Sequence, residues 1–242
     1  MNRHHVNTLP KNQEIGRKDL RVLEVVGPAG AGKSTLCLSL QDASESIRLS
    51  DFPDVRKIAD APFFVWYGLQ LLPRVLYLAN RESRQLTRRE FAWLSILHGW
   101  PTVLQKGQKA NKQVTILDQG PVYLMTELRE FGPEYLRGRG AEKTWQSLYR
   151  KWGATLHAIV WLDAPDTFLV QRIRAREKEH LVKNGSVESA FEFLHRYRVA
   201  YERTLSTLAA NSAALRVIRF DTNRETPPQI VNQVLTALDL SA

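Results

Sequence analysis

The stretch Gly27-Pro28-Ala29-Gly30-Ala31-Gly32-Lys33-Ser34-Thr35 constrains this chain more than any other. Its spacing is G-x-x-x-x-G-K-[ST], the pattern of a phosphate-binding loop. Glycines let such a backbone curl until successive N–H groups point at phosphate oxygens. The lysine at the position of Lys33 reaches the β- and γ-phosphates, and the hydroxyl at the position of Ser34 holds Mg²⁺. The flanks agree with the motif. Leu20 to Val26 is an apolar strand candidate, and Ser34 to Leu40 opens a helix whose N-terminus favours an anion.

Further strand candidates follow at wide spacing: Ser46 to Leu49, Val114 to Leu117 closing on Asp118, Ala158 to Leu162 closing on Asp163, and Leu215 to Phe220. Helical periodicity fills the intervals. Leu86 to Gln105 carries Thr87 as a candidate N-cap and Phe91, Leu94, Leu97 and His98 at helical spacing. Thr167 to His180, Val187 to Ala209 and Pro228 to Leu240 are predicted helices, and Gly132 to Gly140 is read as a glycine-rich basic loop. Strands alternating with helices predict a parallel sheet covered on both faces, with its site at the carboxyl ends of the strands. Gly27, Asp51, Asp118, Asp163 and Asp221 all fall on that edge.

Ala61 to Ala79 is almost long enough to span a bilayer, but Pro62, Gly68, Gln70, Pro73 and Arg74 interrupt it. We read it as one or two buried helices, ahead of a spanning helix or an association with lipid. The net charge of +9 admits an acidic or phosphorylated partner, yet no interleaved aromatic and basic patch argues for nucleic acid. A single cysteine, Cys37, rules out an internal disulfide and suits a reducing, cytoplasmic setting. Residues 1–18 are polar and basic, without the apolar core of a signal peptide, and read as a flexible tail. Residues 19–242 read as one domain, and a homodimer is left open.

The P-loop, the strand ending in Asp118, the strand ending Trp161-Leu162-Asp163-Ala164-Pro165 and the run Arg172-Ile173-Arg174-Ala175-Arg176 occur in one order. In that order the chain resembles the nucleoside and nucleotide kinases among P-loop proteins: thymidylate kinase, deoxynucleoside kinases and adenylate kinase. The resemblance implies a three-layer P-loop NTPase fold with about five parallel strands and a helical lid. It implies ATP as phosphate donor and Mg²⁺ as cofactor. By match, Gly27 to Thr35 binds nucleotide, Ser34 and Asp118 hold the metal, and Arg172 stacks near the adenine. Arg176 contacts phosphates from a lid over about 166–190, and Asn223 sits on the adenine-side loop. Asp51 stands where the family carries an acidic residue that meets the acceptor. Lys33, Asp51, Asp118, Arg172 and Arg176 are thus the candidate catalytic residues.

The acceptor is a small molecule in a helical region about 54–112. Gln119 stands where thymidylate kinases carry arginine. That leans the acceptor towards an alcohol and away from a nucleoside monophosphate. The expected activity is transfer of the γ-phosphoryl of ATP. The alternatives are a slow ATP-hydrolysing switch and a nucleoside monophosphate kinase.

Overall fold

The computed structural model of the chain describes residues 21–50, 52–79, 86–106, 114–176, 182–183 and 185–238. The predicted tail and Asp51 lie outside these residues, as does part of the predicted lid. Five described strands, β1 Arg21–Val26, β2 Ile47–Leu49, β3 Val114–Asp118, β4 Ala158–Asp163 and β5 Arg216–Asp221, form one parallel sheet in the order β2-β3-β1-β4-β5. Helices cover both of its faces, as the alternation predicts.

The pleat assigns side chains to two cores. Val22, Val26, Leu117, Ile159 and Trp161 face one layer. That layer contains α3 Arg88–Lys106, α4 Pro121–Glu130, α6 Glu142–Thr155 and the later turns of α8 Val187–Ala210. Leu23, Val25, Ile116, Val160 and Leu162 face the other. There they meet α1 Lys33–Ala43, α7 Asp166–Arg174 and α9 Pro227–Ala237.

Helix starts follow local chemistry. Thr87 Oγ1 accepts from the Glu90 N–H at 3.2 Å, and the Glu90 carboxylate accepts from the Thr87 N–H at 2.8 Å. This reciprocal box starts α3 where Thr87 was expected to cap it. Thr226 and Gln229 form the same box at the start of α9.

Three expectations need correction. Residues 61–79 form one helix, α2 Ala61–Ala79, but only one of its sides is buried: Leu71 is in the core while Val65, Trp66 and Leu69 face solvent. Gly132 to Gly140 is not a plain loop, since it contains the short helix α5 Glu134–Arg137. The helix predicted over Thr167–His180 stops at Arg174, where the Ala175 N–H reaches back to the Gln171 and Ile173 carbonyls. Among the described residues no helix is long and apolar enough to cross a membrane.

Candidate functional site

β1 runs straight into the glycine loop, and the loop needs its glycines where the chain is crowded. Gly27 has φ of 149°, and a Cβ there would lie 2.1 Å from the Leu162 carbonyl oxygen of neighbouring β4. Gly30 and Gly32 have φ of 86° and 88°, a region that disfavours side chains. Gly32 is the N-cap of α1 and offers no capping side chain, so the first-turn N–H groups of that helix keep their positive end for an anion.

Lys33 is buried, and its Nζ donates to the Gly27 and Pro28 carbonyls, each at 2.9 Å. Burial lowers its ammonium pKa to about 8; nearby Asp118 opposes this shift and Arg176 adds to it.

Asp118 arrives at the loop because β3 lies beside β1, with Val25 opposite Asp118. Ser34 Oγ donates to Asp118 Oδ2 at 2.7 Å. Asp118 Oδ1 is buried with no hydrogen-bond partner among the described residues. A hydroxyl and a carboxylate with one unsatisfied buried oxygen make an oxygen-only donor set, which fits a hard cation such as Mg²⁺.

The turn after Asp118 is held from below by a residue that the sequence reading passed over. Glu24 projects from the middle of β1 and is fully buried. Its carboxyl oxygens accept from the Val122 N–H at 2.9 and 3.1 Å and from the Tyr123 N–H at 3.2 Å. These are the first-turn donors of α4, so Glu24 ties the start of α4 to the strand that enters the phosphate loop. Burial pushes its pKa up to about 8 against the pull of these backbone donors, and Asp118 adds a smaller push in the same direction. Between Asp118 and α4, Gln119 takes φ of 59°, a left-handed conformation that few non-glycine residues adopt.

Two arginines meet the loop at a cavity. A cavity of about 380 Å³ is lined by Gly30, Gly32, Thr35, Arg172, Arg176 and Thr222, among others. Arg172 is braced, because its guanidinium donates to Thr222 Oγ1 and to the Thr222 carbonyl, each at 2.9 Å. Arg176 lies past the end of α7, so the two arginines share the cavity without sharing a helix face. Arg174 turns away and donates to the Gly185 carbonyl at 3.0 Å. Asn223 is exposed, and its N–H donates to Asp221 Oδ1; its neighbour Thr222 lines the cavity instead.

α3 and α4 bring aromatic and charged groups together. The Arg89 guanidinium lies 4.4 Å from the Trp93 ring centroid, and Trp93 meets Tyr123 edge-on at 6.0 Å. Tyr197 donates to Glu127 Oε1 at 2.8 Å. Burial raises the Glu127 pKa, with bonds from tyrosines and the Arg89 charge opposing it. His98 serves packing, its ring edge-on to Tyr67 at 6.1 Å.

Comparison with known proteins agrees with this geometry. The sequence pattern of the family described as an AAA domain matches residues 22–199. The thymidylate kinase of Candida albicans is 15% identical and superposes with a TM-score of 0.51, over 90% of this chain and 91% of that one. The deoxyadenosine kinase of M. mycoides, solved with bound dATP, is 13% identical with a TM-score of 0.49, over 90% and 99%. No curated protein sequence matches the chain. At such identities the superposition with thymidylate kinase speaks for a shared fold.

Proposed function

The chain belongs to the AAA domain family of P-loop proteins, and from that premise we propose that it transfers the γ-phosphoryl group of ATP to a small acceptor. One observation carries the reading: Ser34 is bonded to Asp118 at the phosphate loop, Lys33 feels the charges of both Asp118 and Arg176, and Arg172 and Arg176 line a cavity together with the loop.

In this reading the loop amides and the α1 N-terminus grip the donor phosphates. Lys33 exchanges its bonds to the Gly27 and Pro28 carbonyls for phosphate oxygens. Ser34 and Asp118 hold Mg²⁺, which when bound neutralises charge on the β- and γ-phosphates. Arg172, already braced by Thr222, walls the purine side, and Arg176 offers its charge to the phosphoryl group in flight. Glu24 holds the Asp118 turn in place from below.

The acceptor side falls beside α3 and α4, where Arg89, Trp93, Tyr123 and Glu127 offer stacking surfaces together with a hydrogen-bonding carboxyl group. The carboxylate of Asp118 and Gln119 in place of arginine favour an uncharged, hydroxyl-bearing acceptor over a free phosphate, while Arg89 pulls the other way. Asp51, two residues after the last residue of β2 in sequence, is our candidate for orienting the acceptor hydroxyl.

The test is ADP formation from MgATP across nucleosides, nucleoside monophosphates, sugars and lipid-linked alcohols, with Lys33→Ala as the control. Acceptor-dependent ADP that this substitution abolishes supports the reading. Slow ADP release indifferent to every acceptor would replace it with a regulatory ATPase. A monophosphate as the preferred acceptor would overturn the preference for an alcohol.

A further inference from the structure

α2 has two unlike sides. Its inner side packs on α3: Gly68 lies against the Phe91 ring and Tyr67 lies over Gly99. Its outer side is apolar and faces solvent. Val65 is 61% exposed, Trp66 64%, Leu69 61% and Leu72 41%. Val65, Leu69 and Leu72 recur at helical spacing, so they form one stripe with Trp66 at its border. Just ahead of the helix, Val55 and Ile58 are exposed at 60% and 91%, and the exposed Arg56 and Lys57 stand between them. Nothing in this stretch needs such groups in water, and a contiguous apolar face of this kind marks a docking surface.

Charge selects the occupant. Residues 54–106 hold eight lysines and arginines against four acidic residues, a surplus of four in a chain whose total surplus is nine. The two acidic residues at the entry to α2 are turned inward on the backbone. Asp54 Oδ1 accepts from the Arg56 N–H, and Asp60 Oδ2 accepts from the Asp54 N–H, each at 2.9 Å. A second copy of the chain would bring the same positive surplus against itself. An anionic lipid surface would satisfy both halves of the feature: the aromatic and aliphatic stripe enters the headgroup boundary while the basic residues meet lipid phosphates.

We propose that the outer face of α2, led by Trp66 and Leu69, docks this protein onto an anionic lipid surface. The helix lies in the interface and does not cross it, in keeping with its prolines and its length. Because β2 ends at Leu49 and α2 starts at Ala61, the docked helix hangs from the same sheet edge as the phosphate loop. The inference stands apart from the reaction and holds whichever acceptor is found.

Vesicle flotation of the full chain tests it, with phosphatidylcholine alone against phosphatidylcholine mixed with phosphatidylglycerol. The protein is expected to float with the anionic vesicles only. The double substitution Trp66→Ala with Leu69→Gln alters two exposed side chains and should leave the melting temperature unchanged. It should cut vesicle binding by about tenfold or more, the worth of two large apolar groups. Arg56→Glu with Lys57→Glu should weaken binding to the anionic vesicles while leaving the melting temperature alone. Absence of binding, equal binding to neutral and anionic vesicles, or full binding by the Trp66/Leu69 variant would each overturn the proposal. A chain that ignores vesicles but sediments as a dimer, and loses that dimer on the same double substitution, would give the face to a second copy instead.

Discussion

Two glycines of the phosphate loop look alike in sequence and are expected to fail differently when replaced by alanine. At Gly27 the new methyl group would sit 2.1 Å from the Leu162 oxygen and 3.1 Å from the Leu162 carbonyl carbon. Both are backbone atoms of β4, which pairs with β1 there, Val26 opposite Trp161. No rotamer relieves that clash, so two paired strands must separate. Overpacking of this kind costs about 1–3 kcal/mol, and the positive φ adds about 1–3 kcal/mol. At Gly32 nothing lies within 4 Å of the added atom, so only its φ of 88° is penalised, at about 1–2 kcal/mol. In a chain of this size each kcal/mol moves the melting temperature by about 2–4 °C. Gly27→Ala should therefore melt about 5–20 °C lower than wild type, and Gly32→Ala about 2–8 °C lower. Thermal unfolding followed by circular dichroism reads both. Gly32 opens to the side where the loop meets its ligand, so its alanine variant should lose nucleotide affinity out of proportion to its melting temperature. A Gly27→Ala protein melting within about 2 °C of wild type, or less affected than Gly32→Ala, would refute the close approach of β1 and β4 as the reason for glycine.

Asp118→Asn should keep the fold and lower magnesium-dependent turnover by about a hundredfold, measured with saturating ATP across a magnesium titration; an unchanged magnesium response would remove Asp118 from the metal. Arg176→Ala should lower kcat about tenfold to a thousandfold with a smaller change in ATP affinity. A variant with normal kcat and only weaker ATP binding would assign Arg176 to ground-state binding. Glu24 titrates with a folded pKa of about 8, above its unfolded value of 4.5. The folded chain thus holds one more proton between those values, and this contribution to stability declines as pH rises through the window, by up to about 1.4 kcal/mol per pH unit. Urea midpoints measured from pH 5 to pH 8 should show the decline in wild type and a flatter profile in Glu24→Gln; parallel profiles would mean that Glu24 does not titrate there.

Much of the site is local in origin and so can be read along the chain. The phosphate loop declares itself by spacing, Asp118 by closing an apolar strand, and the start of α3 by Thr87 and Glu90 three residues apart. Other features depend on what lies across the sheet. Glu24 shows in sequence only as an acid inside an apolar strand, and its partners are the N–H groups of residues 122 and 123. The end of α7 at Arg174 has no glycine or proline to announce it, so a helix reaching Arg176 and beyond was the natural expectation. α6 was legible but passed over, since Trp145, Leu148, Tyr149 and Trp152 mark a buried helical stripe right after a glycine-rich approach. The exposure of α2 could not be read, because an apolar stripe looks the same whether it is covered or not.

The strand order also bears on how the molecule comes together. β1 leads the described chain, yet its two neighbours are distant: Arg21 pairs with Val114, and Leu23 with Ala158. During synthesis this apolar strand must wait until about half of the chain has emerged before β3 covers one edge, and about two thirds before β4 covers the other. Pairings so remote in sequence slow folding, and they leave an adhesive segment exposed in the meantime. The acid at the centre of that strand then gains a second meaning. Glu24 ends up buried beneath α4, but in the unfinished chain it is a charge within an otherwise sticky run, the kind of residue that discourages strands from different molecules from joining.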